Sequence, residues 1–391
     1  MTDRFDRIFE NIERPFAWLD MDALDQNIHT VKQACGDKKI RIATKSIRSV
    51  EILRYIEQKL LQTVGFMTFT AAETLFLLEQ DFDELLIGYP TMEKTAVRHI
   101  LQYVKNGRQV TFMVDKVEHI AFLAQLAEEM DVVVSVCIDV NMSNNFKVIY
   151  FGTKRSSLNS LAALTPILRF LVQQKYVQVI GAMGYEAQIA GVGNKPANHL
   201  KGKVIEQLQK RAAQQVTQFR RLAIAHIKAY FPDIRFVNGG GTGSMQYTAE
   251  QREVTEVTVG SAFYAPALFD LFSHLQLEKA TGFALRVTRQ PEENIVVCHG
   301  GGYIASGATG ADRHPVFYEP QYFQFLNLEG AGEVQTPIRV KDKVIGVGDT
   351  LYLRHAKAGE LCERFQVLHA IRGEQYAGPY VTYRGDGQCF L

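Results

Sequence analysis

Eight short, largely apolar runs alternate with helical patterns along the middle of this chain, and that rhythm restricts the fold more than any other feature. The runs are Ile40–Thr44, Thr63–Phe66, Glu84–Ile87, Gln109–Val114, Val132–Val140, Val177–Met183, Ile234–Asn238 and Glu256–Gly260. Between them, apolar residues recur three or four apart over Val50–Leu60, Ala71–Leu78, Thr95–Val104, Val117–Met130, Leu158–Gln173 and Val204–Tyr230. A strand without a polar face is buried on both sides, as parallel strands under helices are. Eight such units in about 230 residues fit a (β/α)8 barrel. An open, doubly wound sheet is the runner-up.

Past Leu277 the pattern changes. Ala284–Thr288, Ile295–Cys298, Gln335–Val340, Thr350–Arg354, Phe365–Ile371 and Tyr380–Tyr383 read as short strands broken by Gly, Pro and Asp turns. The expected organisation is a barrel over residues 1–279 and an all-β C-terminal domain over 280–391. The first dozen residues are candidates to join the second unit. Phe16–Asp20 is short and mostly apolar, and Asp22 is placed to cap a helix through Leu24, Ile28 and Val31.

At 391 residues and 47% hydrophobic, the chain has material for two cores. A formal net charge of +1, with no basic run or acidic tail, gives no footprint for nucleic acid or an anionic membrane. Met1–Arg14 is too polar for a signal peptide, and no apolar run approaches the roughly 20 residues of a membrane span. The five scattered cysteines form no CxxC pair, so reduced thiols and a cytoplasmic setting are expected.

Such barrels keep their chemistry at the carboxyl ends of the strands. Lys45 follows the first run directly, in Ala43-Thr44-Lys45-Ser46. A partly desolvated lysine there can lose its proton and form an imine with an aldehyde. After the seventh run, Asn238-Gly239-Gly240-Gly241-Thr242-Gly243-Ser244 offers backbone amides and hydroxyls to an anion, and Gly260-Ser261 supplies a second turn after the eighth. Phosphate commonly sits beside these last two loops. An aldehyde plus a phosphate points to pyridoxal 5′-phosphate. Tyr185, Arg155, Asp139 and Asn141 lie at other strand ends as candidates to orient ring and substrate, and the long loop from Glu186 to Lys203 is a candidate lid.

The Lys45 segment, the Gly184-Tyr185 pair, the Gly-Gly-Gly-Thr-Gly loop and Gly260-Ser261 together resemble the fold-type III pyridoxal-phosphate enzymes. Within these the chain is most similar to the D-threonine aldolase and D-serine dehydratase branch, alongside alanine racemase. The resemblance implies an alanine racemase-like barrel, a Schiff base on Lys45, and a homodimer whose sites take residues from both subunits. It also implies a divalent metal held near the C-terminus by a His-x-Asp or His-x-Cys pair. Here His355 matches the first ligand, but Lys357 stands at the second, and a protonated amine has no lone pair for a metal. Either Glu360 or Cys362 replaces the missing ligand, or Lys357 supplies the charge and no metal is needed; the second reading is preferred.

Cys298-His299-Gly300-Gly301-Gly302-Tyr303 is the other dense cluster. Tyr303 resembles in rough position the tyrosine that racemases contribute across the dimer, and His299 is a candidate proton carrier or metal ligand. Asp312-Arg313-His314-Pro315 is a candidate polar rim. The expected activity is a lyase, aldolase or dehydratase, acting on a D- or β-hydroxy amino acid, with Lys45, His299, Tyr303 and His355 as catalytic candidates. A racemase or epimerase is the alternative, and a non-catalytic cofactor carrier is a third reading that the second domain disfavours.

Overall fold

The computed structural model describes residues 2–146, 149–195, 199–308 and 310–391. Helix α1 (Thr2–Ile8) leads into β1 (Phe16–Asp20) and α2 (Met21–Cys35). The barrel strands follow: β2 (Lys39–Ala43), β3 (Thr63–Thr68), β4 (Leu85–Ile87), β5 (Val110–Val114) and β6 (Val134–Asp139). After a small hairpin, β7 (Asn144–Asn145) and β8 (Tyr150–Phe151), come β9 (Val177–Gly184), β10 (Phe236–Gly239) and β11 (Glu256–Val259). Every pairing in the barrel is parallel, and β9 against β10 closes the ring. Helices α3 (Val50–Lys59), α4 (Ala71–Glu79), α5 (Lys94–Lys105), α6 (Val117–Met130), α7 (Leu161–Val172), α8 (Ala187–Ala190) and α9 (His199–Tyr230) separate them.

The apolar runs are buried for the expected reason. All five residues of β5 are buried, some against the helices and others inside the ring. Leu86, Met113, Cys137, Ile180, Met183 and Phe236 pack together as an interior plug. Gly181 makes room for it, since a Cβ there would run into the Phe236 ring. Arg41 brings a charge into this interior: its guanidinium makes a two-pronged contact with Glu256, at 2.7 and 3.1 Å, and lies over Phe236. Unpaired, either charge would be costly at this depth.

The C-terminal part is a twisted sheet of β12 (Thr281–Glu292), β13 (Ile295–His299), β14 (Val316–Phe317), β15 (Phe323–Phe325), β16 (Gln335–Val340), β17 (Thr350–Arg354), β18 (Val367–Arg372) and β19 (Gln375–Val381). Its ninth member is β1, which runs antiparallel to β12 and parallel to β18 in the middle of the sheet. The N-terminus therefore belongs with this region, and over a longer stretch than its first dozen residues. The side chains explain it: Phe16 through Leu19 are all buried, and Phe5 from α1 sets its ring 5.1 Å from Trp18 and 5.2 Å from Tyr352. The cap of α2 is Asp20 rather than Asp22, and its carboxylate accepts from the Asp22 and Ala23 amides at 3.0 and 3.2 Å. Among the described residues no helix is long and apolar enough to cross a membrane.

Candidate active site

Strand β2 ends at Ala43, and one turn of 3-10 helix, Thr44–Ser46, carries Lys45 over the rim of the barrel. Thr44 anchors that turn by donating to the Met67 carbonyl at 3.0 Å. From the other side, Gly359 backs onto Lys45: it adopts φ +83°, and any Cβ there would run into the Lys45 carbonyl. The lysine is thus held by its backbone while its side chain enters a cavity of about 290 Å³ at the barrel mouth. The side chain is exposed at this open mouth, not desolvated as its position in the sequence suggested.

The first and second glycine turns meet Lys45 in that cavity. Gly240, Gly241, Thr242, Gly260 and Ser261 all line it. Gly260 has no space for a side chain, since a Cβ would fall 2.8 Å from the Ala43 Cβ and Ser46 Oγ. Gly240 adopts φ +87°, a conformation costly for other residues. Gly243 differs from its neighbours. Its amide donates to the Ala190 carbonyl at 3.2 Å, and it faces a separate groove, so it is not available to a guest at the mouth.

Arg155 bridges the opposite wall. Its guanidinium is 5.1 Å from the Tyr89 ring centre and 5.6 Å from that of Tyr185, donates to the Gly88 carbonyl, and pairs with Asp139 at 3.4 Å. Burial raises the Asp139 carboxyl to about 6 against the opposing pull of Arg155. Burial, with the Glu186 charge, raises the Tyr185 phenol to about 12. Asn141 only braces the neighbouring loop, through the Ser143 amide and the Ser156 carbonyl.

Tyr89 escaped the sequence reading. Lys45 Nζ donates to its hydroxyl at 3.2 Å. Burial works to raise this phenol, but the charges of Lys45, Arg155 and Lys357 outweigh it and the net shift is downward. The signal was present: Gly88-Tyr89 ends β4 as Gly184-Tyr185 ends β9, the same pair at the same end of two strands. The candidate rim contributes Arg313, which lines the mouth together with Lys357.

The remaining candidates lie elsewhere in the chain that carries them. His299 is exposed at the end of β13. Tyr303 is wedged edge-on between Phe283 and Phe365, with ring centres 4.8 and 5.1 Å away. His355 is buried with no hydrogen-bond partner on either ring nitrogen, and burial beside the Arg354 charge lowers it to about 3.

The donors around His355 do not suit a divalent metal. Lys357 Nζ is 3.3 Å from Glu360 and 3.0 Å from Ser306 Oγ. Both Glu360 oxygens are engaged, one by the Ser306 hydroxyl and the other by its amide at 2.8 Å. Cys362 donates its thiol to the Ile47 carbonyl at 3.4 Å, and burial raises it to about 12, so it remains a neutral thiol. Glu360 and Cys362 are therefore not placed to complete a ligand set. Among the described residues no group of three or more His, Cys, Asp and Glu side chains is arranged to hold a metal ion.

In this closed parallel barrel a lysine, two glycine turns and a guanidinium converge on one mouth. The family model for the alanine racemase N-terminal domain matches residues 19–267, and the chain belongs to that family. A 3-hydroxy-D-aspartate aldolase from Paracoccus denitrificans is 20% identical over 258 residues, which cover 66% of this chain and 61% of that protein's length. Among solved structures, a D-threonine aldolase from Filomicrobium marinum matches at TM-score 0.80 and 15% identity, covering 96% of each chain. A D-threo-3-hydroxyaspartate dehydratase from Delftia sp. HT23 matches at TM-score 0.77 and 16% identity, covering 96% of this chain and 98% of that one. Alanine racemases match with lower TM-scores.

Proposed function

We propose that this protein is a pyridoxal 5′-phosphate-dependent lyase, an aldolase or dehydratase acting on a D-configured β-hydroxy amino acid. One observation carries the reading: Lys45 and both glycine turns open into a single cavity of about 290 Å³. The fit is chemical as well as steric. Three cationic side chains besides Lys45 (Arg155, Arg313 and Lys357) line the same space, which suits a phosphorylated cofactor and a carboxylate substrate. Gly240, Gly241, Thr242, Gly260 and Ser261 would hold the phosphate, and Lys45 the aldehyde.

When bound, pyridoxal phosphate supplies an electron sink for a bond broken at the substrate α-carbon. The chain's own residues do the rest. Arg155, steadied by Asp139 and spanning Tyr89 and Tyr185, fixes one wall of the site. Tyr89, already in hydrogen-bond contact with Lys45 Nζ, passes a proton to and from that amine as it is displaced and restored. Arg313 at the rim receives the substrate carboxylate. His299 and Tyr303 act, on this reading, from a second copy of the chain in a homodimer. His355 supports the loop that carries Lys357.

The test is a panel of D-threonine, D-serine and 3-hydroxy-D-aspartate with purified holoenzyme. Release of an aldehyde or a keto acid is expected from at least one. Interconversion of L- and D-alanine without release of either product would instead favour the racemase, for which the name of the family leaves room.

A further inference from the structure

The position two residues after His355 holds Lys357, and a carboxylate and a hydroxyl pack against its side-chain nitrogen. Lys357 Nζ lies 3.3 Å from Glu360 and donates to Ser306 Oγ at 3.0 Å. Glu360 is itself steadied by the Ser306 amide at 2.8 Å, so its carboxylate is committed to this cluster. Lys357 joins this cluster to the barrel mouth. Lys357 and its neighbour Ala358 line the same cavity as Lys45, and the Lys357 charge is felt at Tyr89. The backbone that presents it is rigid: the Ala267 and Leu268 amides donate to the carbonyls of His355 and Ala356 at 3.0 Å, and Gly359 is pressed against Lys45. The two side chains nearest to completing a ligand set with His355 are taken, Glu360 by Ser306 and Lys357, Cys362 by the Ile47 carbonyl.

We infer that Lys357 takes the place of a divalent metal at this site, so that the enzyme works without one and its ammonium receives the β-oxygen of the substrate. The inference rests on the lyase reading above and deepens it. A fixed cation beside the β-oxygen stabilises the negative charge that develops on it, whether as an alkoxide in retro-aldol cleavage or as the leaving oxygen in dehydration. In retro-aldol cleavage the β-hydroxyl gives its proton to the Lys45 amine, in the same cavity, as the Cα–Cβ bond breaks, the C=O forms and the electron pair of that bond stays with the α-carbon. In dehydration the departing oxygen leaves as water, and a donated proton on it helps. A lysine can serve both, as hydrogen-bond donor or proton donor, with no lone pair required. Substrates with an oxygen on the β-carbon are therefore preferred over those without one.

The experiment uses the purified holoenzyme, with metal content measured after incubation with excess Zn2+ or Mn2+ and desalting, and kcat measured before and after EDTA. The wild type is expected to retain well under one equivalent of metal and to keep its activity. Lys357→Ala should lower kcat about 100-fold, the scale of losing one electrostatic contact to a developing charge, while the visible spectrum of the bound cofactor is unchanged. Lys357→Cys, which sets a thiol beside His355, should take up close to one equivalent of Zn2+. Stoichiometric metal on the wild type, or EDTA inactivation reversed by metal, overturns the inference, as does Lys357→Ala turning over at the wild-type rate. So does Lys357→Cys taking up no more zinc than wild type. If no β-hydroxy amino acid is cleaved at all, the lyase reading fails instead, and the metal contents still decide whether Lys357 occupies a metal's place.

Discussion

At the scale of single residues, the site is a contest between burial and charge. Tyr89 and Tyr185 are the same amino acid at the same kind of strand end, yet their phenols shift in opposite directions. Tyr185 is covered and beside Glu186, so its proton is held more tightly; Tyr89 faces Lys45, Arg155 and Lys357, and their charges overcome its burial. The phenol that touches the reactive amine is therefore the one that gives up a proton more easily. Tyr89→Phe is expected to lower kcat by about 100-fold, the usual scale for a lost acid/base group. It should also flatten the alkaline side of the pH–rate profile and leave cofactor affinity nearly unchanged. A profile of unaltered shape would assign Tyr89 a packing role. Tyr89 was missed in the sequence for a plain reason. A tyrosine after a short apolar strand is common, and only its meeting with Lys45 across the barrel mouth distinguishes it.

Among the elements, α4 shows how the mouth is tied to the end of the chain. Glu73, fully buried in α4, accepts from the Phe69 amide at 2.8 Å and from the Tyr383 hydroxyl at 3.1 Å. Burial raises its carboxyl to about 7, although hydrogen bonds from Thr44, Phe69 and Tyr383 and the charge of Arg48 oppose the shift. The folded state keeps a proton that the unfolded state loses near 4.5, so this group favours folding at low pH. Its contribution declines as pH rises from about 4.5 to about 7 and is gone above that window. Glu73→Gln is expected to reduce the fall in thermal midpoint across that range, measured by circular dichroism at several pH values. An unchanged slope would contradict the assignment. The repeating elements were legible because strand burial on both faces and helical spacing are local patterns. Strand β1 was not, because its partners are Thr281–Glu292 and Val367–Arg372, far along the chain. Its role follows from pairing, which no local pattern carries.

On the scale of the whole molecule, the barrel brings residues 45, 89, 155, 240 and 260 to one mouth, and the β-rich part closes over it with Arg313 and Lys357. The lysine and the glycine turns were readable from sequence because each lies at a strand's end, where the fold concentrates chemistry. His299 and Tyr303 were singled out from composition and resemblance, and neither lines the mouth of its own chain. The homodimer proposed for them makes a direct prediction. Mixing Lys45→Ala with Tyr303→Phe subunits, each inactive alone, should restore about a quarter of wild-type activity, since half the dimers are then mixed and each holds one intact site. No recovery on mixing would confine the site to one chain.

Whether Lys45 is the covalent anchor for pyridoxal phosphate at the barrel mouth is decided by borohydride reduction of the holoenzyme followed by peptide mass spectrometry. A cofactor adduct is expected on the peptide containing Lys45, formed in near-stoichiometric yield and lost in Lys45→Ala. An adduct on another lysine, or an undiminished one in Lys45→Ala, would contradict it.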